Sequence, residues 1–316
     1  MSRTWGTAEG LSRGRGAFGV AFAGVHFAIV EPVLTFAGTW TLEPVPAALM
    51  IGSWLLYLAG VATLRRREQS WSRWRAASFL AGLVLTGLVI FGPIGAYDDT
   101  FFWAHMVQHM VVMLIAGPLL LLGSPVLLLL QTSPRWVRHD YLVPVLRSRI
   151  VIRLSNPVTG WLIFAGVLLG THFSPFYNFA LQHRPVHDYI EHPLYFGAAL
   201  IYYYPLIGHN AVPRSVKPGF RVASLVTIML PMTMTGFFIY SANYLLYPHY
   251  AHVDRPFGPG AFADQQLAGA LMWAGSMIIG SVWVVMAVLD WLHTEELRAR
   301  RLDLQTLAPP VRPVGA

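Results

Sequence analysis

The sequence predicts an all-α, polytopic integral membrane protein: a helical bundle of seven core transmembrane helices, with one further candidate span at the N-terminus. Three observations carry this expectation. Of 316 residues, 55% are hydrophobic and 12% charged, where a soluble domain carries about 25% charge, and the mean hydropathy is +0.51. Seven windows reach the roughly 20 mostly apolar residues that a spanning helix needs. The basic residues also gather on one side of the alternating loops that these windows define.

In chain order, the first core window is 44–64. It ends at Arg65, Arg66 and Arg67, and Arg73 and Arg75 lead into the second, 76–96. The third, 101–131, is too long: at 1.5 Å per residue it extends about 46 Å against a hydrocarbon core near 30 Å. Gly117-Pro118 is expected to kink it, and Gly123-Ser124-Pro125 to bend or end it. The connection 132–157 mixes Arg135, Arg138, Arg147, Arg149 and Arg153 with Val, Leu and Ile, as in a segment lying along a membrane surface. The windows 158–174, 188–207, 220–241 and 265–290 complete the core set. Arg214, Lys217 and Arg221 follow the fifth, and Arg298, Arg300, Arg301 and Arg312 follow the seventh. In the last window Ala268, Gly269, Ala270 and Gly275 would admit a neighbouring helix closely.

The weaker candidate is "AFGVAFAGVHFAIVEPVLTFA" at 17–37, which follows Arg3, Arg13 and Arg15. It has no clean small-x-small cleavage site and reads as an extra span rather than a signal peptide. With those three arginines, 20 of the 22 basic residues share one side, and only Arg184 and Arg255 lie opposite. The C-terminus is therefore expected in the cytoplasm. Loops 65–75, 132–157 and 208–219 are expected inside, and 97–100, 175–187 and 242–263 outside. The net charge of +7 reports topology, so the expected surroundings are membrane lipids and no nucleic acid. The domain reading is an N-terminal segment 1–40, a seven-span membrane domain 41–293 and a disordered tail 294–316, ending in the Pro-rich "TLAPPVRPVGA". The absence of cysteine excludes disulfides, thiolate metal sites and Cys nucleophiles.

This topology sorts the histidines. His105 and His109, His172, His183, His187, His192, His249 and His252 all come to the outer face, eight of twelve, together with Asp188, Glu191, Asp254 and Asp264. A lone interfacial histidine such as His183, His249 or His252 reads as a polar end group. The pair in "FFWAHMVQHM" is different, because residues four apart share a helical face and offer two nitrogens to one ion. In the fifth window, helical phase pairs His187 with Glu191 and Asp188 with His192, where a carboxylate could orient a ligating ring. Asp264 and Gln265 open the seventh window at the same level, and polar groups at that depth are usually functional or paired. Met106, Met110 and Met113 follow the histidine pair, and Met272 and Met277 lie in the seventh window. Thioether with imidazole favours copper, Cu(I) in particular. Methionine also fills gaps in apolar cores; packing is the main expectation for each of these, and the default for Met229, Met232 and Met234.

"HMVQHMVVMLIAGPLLLLGSP" at 105–125 resembles the signature of the CtaG family, assembly factors of caa-type cytochrome c oxidases in Gram-positive and related bacteria. The similarity continues through "HFSPFYNFAL" at 172–181, "VHDYIEHPLYF" at 186–196 and "DQQLAGALMW" at 264–273, and spans about residues 41 to 293. It implies a bacterial plasma-membrane protein that is not an enzyme. It also implies a role in forming the oxidase's copper B centre, with the family pattern carried by His105, His109, His172, His187, His192 and Asp264. The expected function is that of a metallochaperone: copper is held by these residues at the outer face and passed to the oxidase subunit that carries the copper B site. The alternative is a haem-handling membrane enzyme similar to haem A synthase, which also uses paired histidines on membrane helices. Against it, two histidines on one helix cannot supply opposed axial ligands to a single haem. A copper permease is disfavoured by the lack of a polar path through the inner half of the spans.

Overall fold

The structure is a computed structural model, and it describes residues 35–207 and 216–307, with side chains to 303. The described residues are helical with no strand. Helix α1 runs Pro44–Arg66 and α2 Arg73–Phe91, extended after Gly92 by the short turn Pro93–Ala96. Helix α3 covers Phe102–Thr132. Short helical segments follow from Arg135 to Leu154, with Trp136, Val145 and Ile150 exposed along them. Then come α4 (Pro157–His172), α5 (Phe176–Gln182), α6 (184–203), α7 (Pro218–Ser241) and α8 (Ala261–Leu307).

Five helices, α1, α2, α3, α7 and α8, are long and apolar enough to cross a membrane, and six spans result if the bent pair α4–α5 counts as one. The chain is a multi-pass helical membrane protein, but the expected count of seven is not reached on length and composition. The window 158–174 yields a 16-residue helix, which turns by 67° into α5 across "FSP". The window 188–207 is not among the spanning helices. Its first turns carry Asp188, Glu191 and His192, too polar for a lipid-facing span. The candidate at 17–37 lies outside the described residues except for its last three. Of the expected tail 294–316, the described part continues α8 to Leu307, with Arg298 bonded to Glu295 at 2.7 Å and Arg300 to Glu296 at 2.6 Å, pairs that favour helix.

Helix α3 is the axis of the bundle. Its apolar window is 61% buried, against 11% for α1. The helix is irregular near both expected places. The helix passes through a π turn over Val111–Ala116 directly before Gly117-Pro118. Proline has no N–H for the carbonyl of Leu114, and that carbonyl accepts instead from Trp283 Nε1 of α8 at 2.7 Å. The second break falls at Gly123-Ser124, where Ser124 adopts φ 51°. The Gly123 carbonyl accepts from Tyr57 Oη of α1 at 2.8 Å, and Trp71 Nε1 donates to the same hydroxyl at 2.9 Å. Each interruption thus has its backbone polar group answered by a neighbouring helix, the condition for irregular backbone inside a membrane.

Helices α7 and α8 touch backbone to backbone. A Cβ added at Gly236 would lie 2.6 Å from the Trp273 nitrogen, and one at Gly269 would collide with the Tyr240 nitrogen. The small residues of α8 do admit a close neighbour. Accordingly, Gly236→Ala should lower stability by about 1–3 kcal/mol through overpacking against rigid backbone. Gly166→Ala, with nothing within 4 Å of the added methyl, should be silent. Thermal unfolding of the two variants in detergent checks this; equal melting temperatures would refute the close seam.

Candidate metal centre

One end of the bundle is built around the first turns of α3. The Phe102 and Trp103 amides, which have no partner within the helix, donate to Asp264 Oδ2 and Oδ1 at 2.9 and 3.0 Å. Arg255 Nη1 adds a bond to Oδ2 at 2.8 Å. Asp264, expected among the metal ligands, is thereby occupied on both oxygens; it caps α3 from the start of α8. Its neighbour Gln265 fastens the 242–260 loop, accepting from the Leu246 amide at 2.8 Å and donating to the Tyr244 carbonyl at 3.0 Å. That loop closes the end of the bundle. Tyr247 Oη donates to the His172 carbonyl, Tyr250 Oη to the Asp98 carbonyl (both 3.1 Å) and His249 Nε2 to the Asp99 carbonyl (2.9 Å). His249 and His183, the latter donating to the Phe179 carbonyl at 2.9 Å, hold structure, as their isolated positions suggested.

Beneath this lid, four of the predicted histidines converge. Ring centroids lie 4.1 Å apart for His105 and His109, 5.3 Å for His105 and His187, and 4.5 Å for His187 and His192. His187 opens another π turn, His187–Glu191. Its Nδ1 donates to Asp188 Oδ1 at 2.9 Å, which leaves Nε2 as a lone pair, 3.3 Å from His105 Nδ1. If His105 Nδ1 is the donor there, His105 Nε2 is also a lone pair, and it faces Glu191 Oε1 at 3.4 Å. Glu191 Oε2 lies 4.0 Å from His187 Nε2. His105 and Glu191 are both fully buried, and among the described residues His105 Nε2 and both Glu191 oxygens have no hydrogen-bond partner. A charge in an apolar interior is costly unless paired; burial raises the Glu191 carboxyl to about 8, so either a proton or a cation shared with His105 would answer it.

His105, His187 and Glu191 offer donor atoms within 4.8 Å of one another, and so do Asp98, His187 and His192. The first group has orphaned atoms to give. In the second, His192 Nε2 lies 2.9 Å from Gln108 Oε1, whose amide nitrogen donates to the Val89 carbonyl at 3.1 Å, so ligation through Nε2 would break a hydrogen bond. Asp188 pairs with His187 and with Arg184 Nε at 2.9 Å, rather than with His192 as helical phase suggested, because the π turn shifts the register. Arg184 also reaches Asp98 at 3.2 Å, Asp99 at 3.3 Å and Glu43 at 3.7 Å. Burial pushes the Asp98 carboxyl up to about 6, against the lowering pull of His187 and Arg184. The two basic residues that break the charge asymmetry, Arg184 and Arg255, are thus the ones that neutralise this carboxylate-rich end.

His109 and His172 stand apart from both groups. His109 lines a cavity of about 290 Å3, shared with Glu43, Gln108, Asp188 and His192, and on its other side borders a second cavity that His172 also lines. Sequence reasoning missed Asp98 and gave Glu191 only an orienting part. The acidic "DD" of "GAYDDT", directly before the paired histidines, was the available signal for Asp98.

The family described as the cytochrome c oxidase caa3 assembly factor matches residues 55–294. An uncharacterized protein of Mycobacterium leprae (strain TN) is 26% identical over 301 residues, covering 89% of this chain and 44% of its own length. Proteins of Mycobacterium bovis and Mycobacterium tuberculosis are each 26% identical over 272 residues, covering 84% of this chain and 41% of their own. The chain therefore spans less than half the length of the curated relatives it matches. No solved structure matches it.

The cap assignment predicts that Asp264→Ala lowers the melting temperature, costing about 2 kcal/mol or more from two freed amides and an unpaired arginine. Any metal bound per folded chain should stay unchanged. Metal analysis of the folded fraction checks this; a loss of bound metal at unchanged stability would restore Asp264 as a ligand.

Proposed function

The chain belongs to the cytochrome c oxidase caa3 assembly factor family, and from that premise we propose that it carries copper for the oxidase. In this reading the ion is held by His105, His187 and Glu191 and passed to the oxidase subunit that houses the copper B site. The observation that carries the reading is the orphaned, fully buried set of His105 Nε2 and Glu191 Oε1/Oε2 beside the lone pair of His187. Nitrogen and carboxylate donors suit a divalent copper ion. The hydrogen bond from His187 to Asp188 orients that ring as outer-sphere carboxylates do in metal sites. Three donors without a thiolate leave the ion exchangeable, which a carrier requires. The cavity bordered by Glu43, Asp188, His109 and His192 lies beside the cluster behind a mostly apolar wall. The role is assembly without turnover; the haem-handling alternative gains no support from the family.

We place this end of the bundle at the outer face of a bacterial plasma membrane and the C-terminus in the cytoplasm, on the charge asymmetry of the loops. With no native cysteine, Ser70→Cys gives a single thiol, which should react with an impermeant reagent only after permeabilisation. Labelling in intact cells would invert the topology.

His105→Ala, His187→Ala and Glu191→Gln should each leave the protein inserted. Each should yield an oxidase with its haems present and its copper-to-haem ratio reduced by about tenfold, the scale of losing a metal-site group. His249→Ala should leave that ratio unchanged. The measurement is copper and haem content of the purified oxidase at matched levels of the assembly protein. An unchanged ratio in the Glu191→Gln strain would sink the copper-carrier reading.

A further inference from the structure

Deeper along α3 than the histidine–carboxylate cluster, a small cavity of about 20 Å3 lies where five helices meet. It holds roughly one water-sized body. Its wall carries five thioethers: Met106, Met110 and Met113 from α3, Met232 from α7 and Met272 from α8. All five are buried. Two histidines complete the lining. His109 is 6% exposed, and neither of its ring nitrogens has a partner among the described residues. His172 is 5% exposed; its Nδ1 lies 2.8 Å from the Leu168 carbonyl, to which it can only donate, and 3.1 Å from the Tyr195 hydroxyl. With the proton on Nδ1, Nε2 is a lone pair, and that atom too has no partner among the described residues.

We propose that this cavity is a second metal site, for a soft monovalent cation of the Cu(I) type, distinct from the histidine–carboxylate cluster. An apolar seam filled for packing alone would take Leu and Ile as readily as Met, and it would not bury three unpartnered imidazole nitrogens, because buried polar atoms are almost always paired. Neutral sulfur and nitrogen donors match a soft d10 ion. A single positive charge is also far cheaper to desolvate here than a divalent one, since the cost of burial grows steeply with charge. The cavity has no carboxylate in its wall, which sets it apart from the outer cluster. Met110 is seated through the absence of a side chain on α8: a Cβ at Gly275 would fall 2.9 Å from its sulfur. His109 borders both this cavity and the 290 Å3 one, so an imidazole with two free nitrogens stands between the two stations. The site's role in copper delivery rests on the function proposed above; its ion preference rests on the donors alone.

The test uses the full-length protein in detergent, loaded anaerobically with Cu(I) or with the redox-inert analogue Ag(I). Copper-edge X-ray absorption on the wild type should show sulfur in the ion's coordination sphere. Met232→Leu and Met113→Leu, near-isosteric in an apolar wall, should reduce the sulfur signal and weaken Ag(I) binding by about tenfold or more. Glu191→Gln should retain both. A wild-type spectrum with only nitrogen and oxygen neighbours overturns the proposal, as does a sulfur signal that survives both methionine substitutions combined. Should the combined variant fail to fold, the two single variants decide. If Glu191→Gln leaves oxidase copper unchanged while the sulfur signal follows the methionines, the outer carrier site falls and this one stands. The converse pattern removes this site and keeps the other.

Discussion

The architecture depends on how α3 is fastened to α8. Near one end, Asp264 takes the amides of Phe102 and Trp103; further along, Trp283 takes the carbonyl that Pro118 cannot serve. Both are polar bonds made in an apolar interior, where an unanswered backbone group costs several kcal/mol. They therefore fix the position of α3 along its axis as well as its side-to-side packing. Every side chain that α3 contributes to the candidate sites lies between those two fastenings or within one turn of them. His105, Met106, His109, Met110 and Met113 inherit their positions from a helix that cannot slide.

The second constraint is electrostatic. Glu43, Asp98, Asp99, Asp188 and Glu191 gather at one end of a helical bundle, and Arg184 alone touches four of these five. Glu191 is the one left over, and it lies deepest, against His105 and His187. A carboxylate placed there without a hydrogen bond costs stability if it is ionised, and burial accordingly raises it to about 8.

Much of the fold was legible. Long apolar windows located α1, α2, α3, α7 and α8, and the Gly-Pro and Gly-Ser-Pro steps located the interruptions of α3. The windows at 158–174 and 188–207 do not stand out as separate spans by length and composition: hydropathy averages over a stretch, whereas Pro175 bends the chain at a point and Asp188 and Glu191 polarise only one end. Of the site, the clustering of His105, His109, His187 and His192 was legible, because topology carries them to one level. The duty of Asp264 was not: its partners are 161 and 162 positions away in sequence, and no local pattern marks a residue as the cap of another helix. Met232 was invisible for the same reason. Its neighbours in the cavity come from four other helices, and alone it is an ordinary core methionine.

The π turn at His187–Glu191 has an evolutionary consequence. A π turn holds one residue more than the α turn it replaces, and each residue of an α-helix advances the azimuth by about 100°. Regularising 187–191 to α geometry with all its residues kept would swing everything beyond it, Tyr195 included, by about that angle relative to Asp188 and Arg184. Loss of a single codon there would instead close the π turn and leave the flanking turns in phase. A descendant one residue shorter within this stretch should therefore still present the arginine and the tyrosine on the same faces.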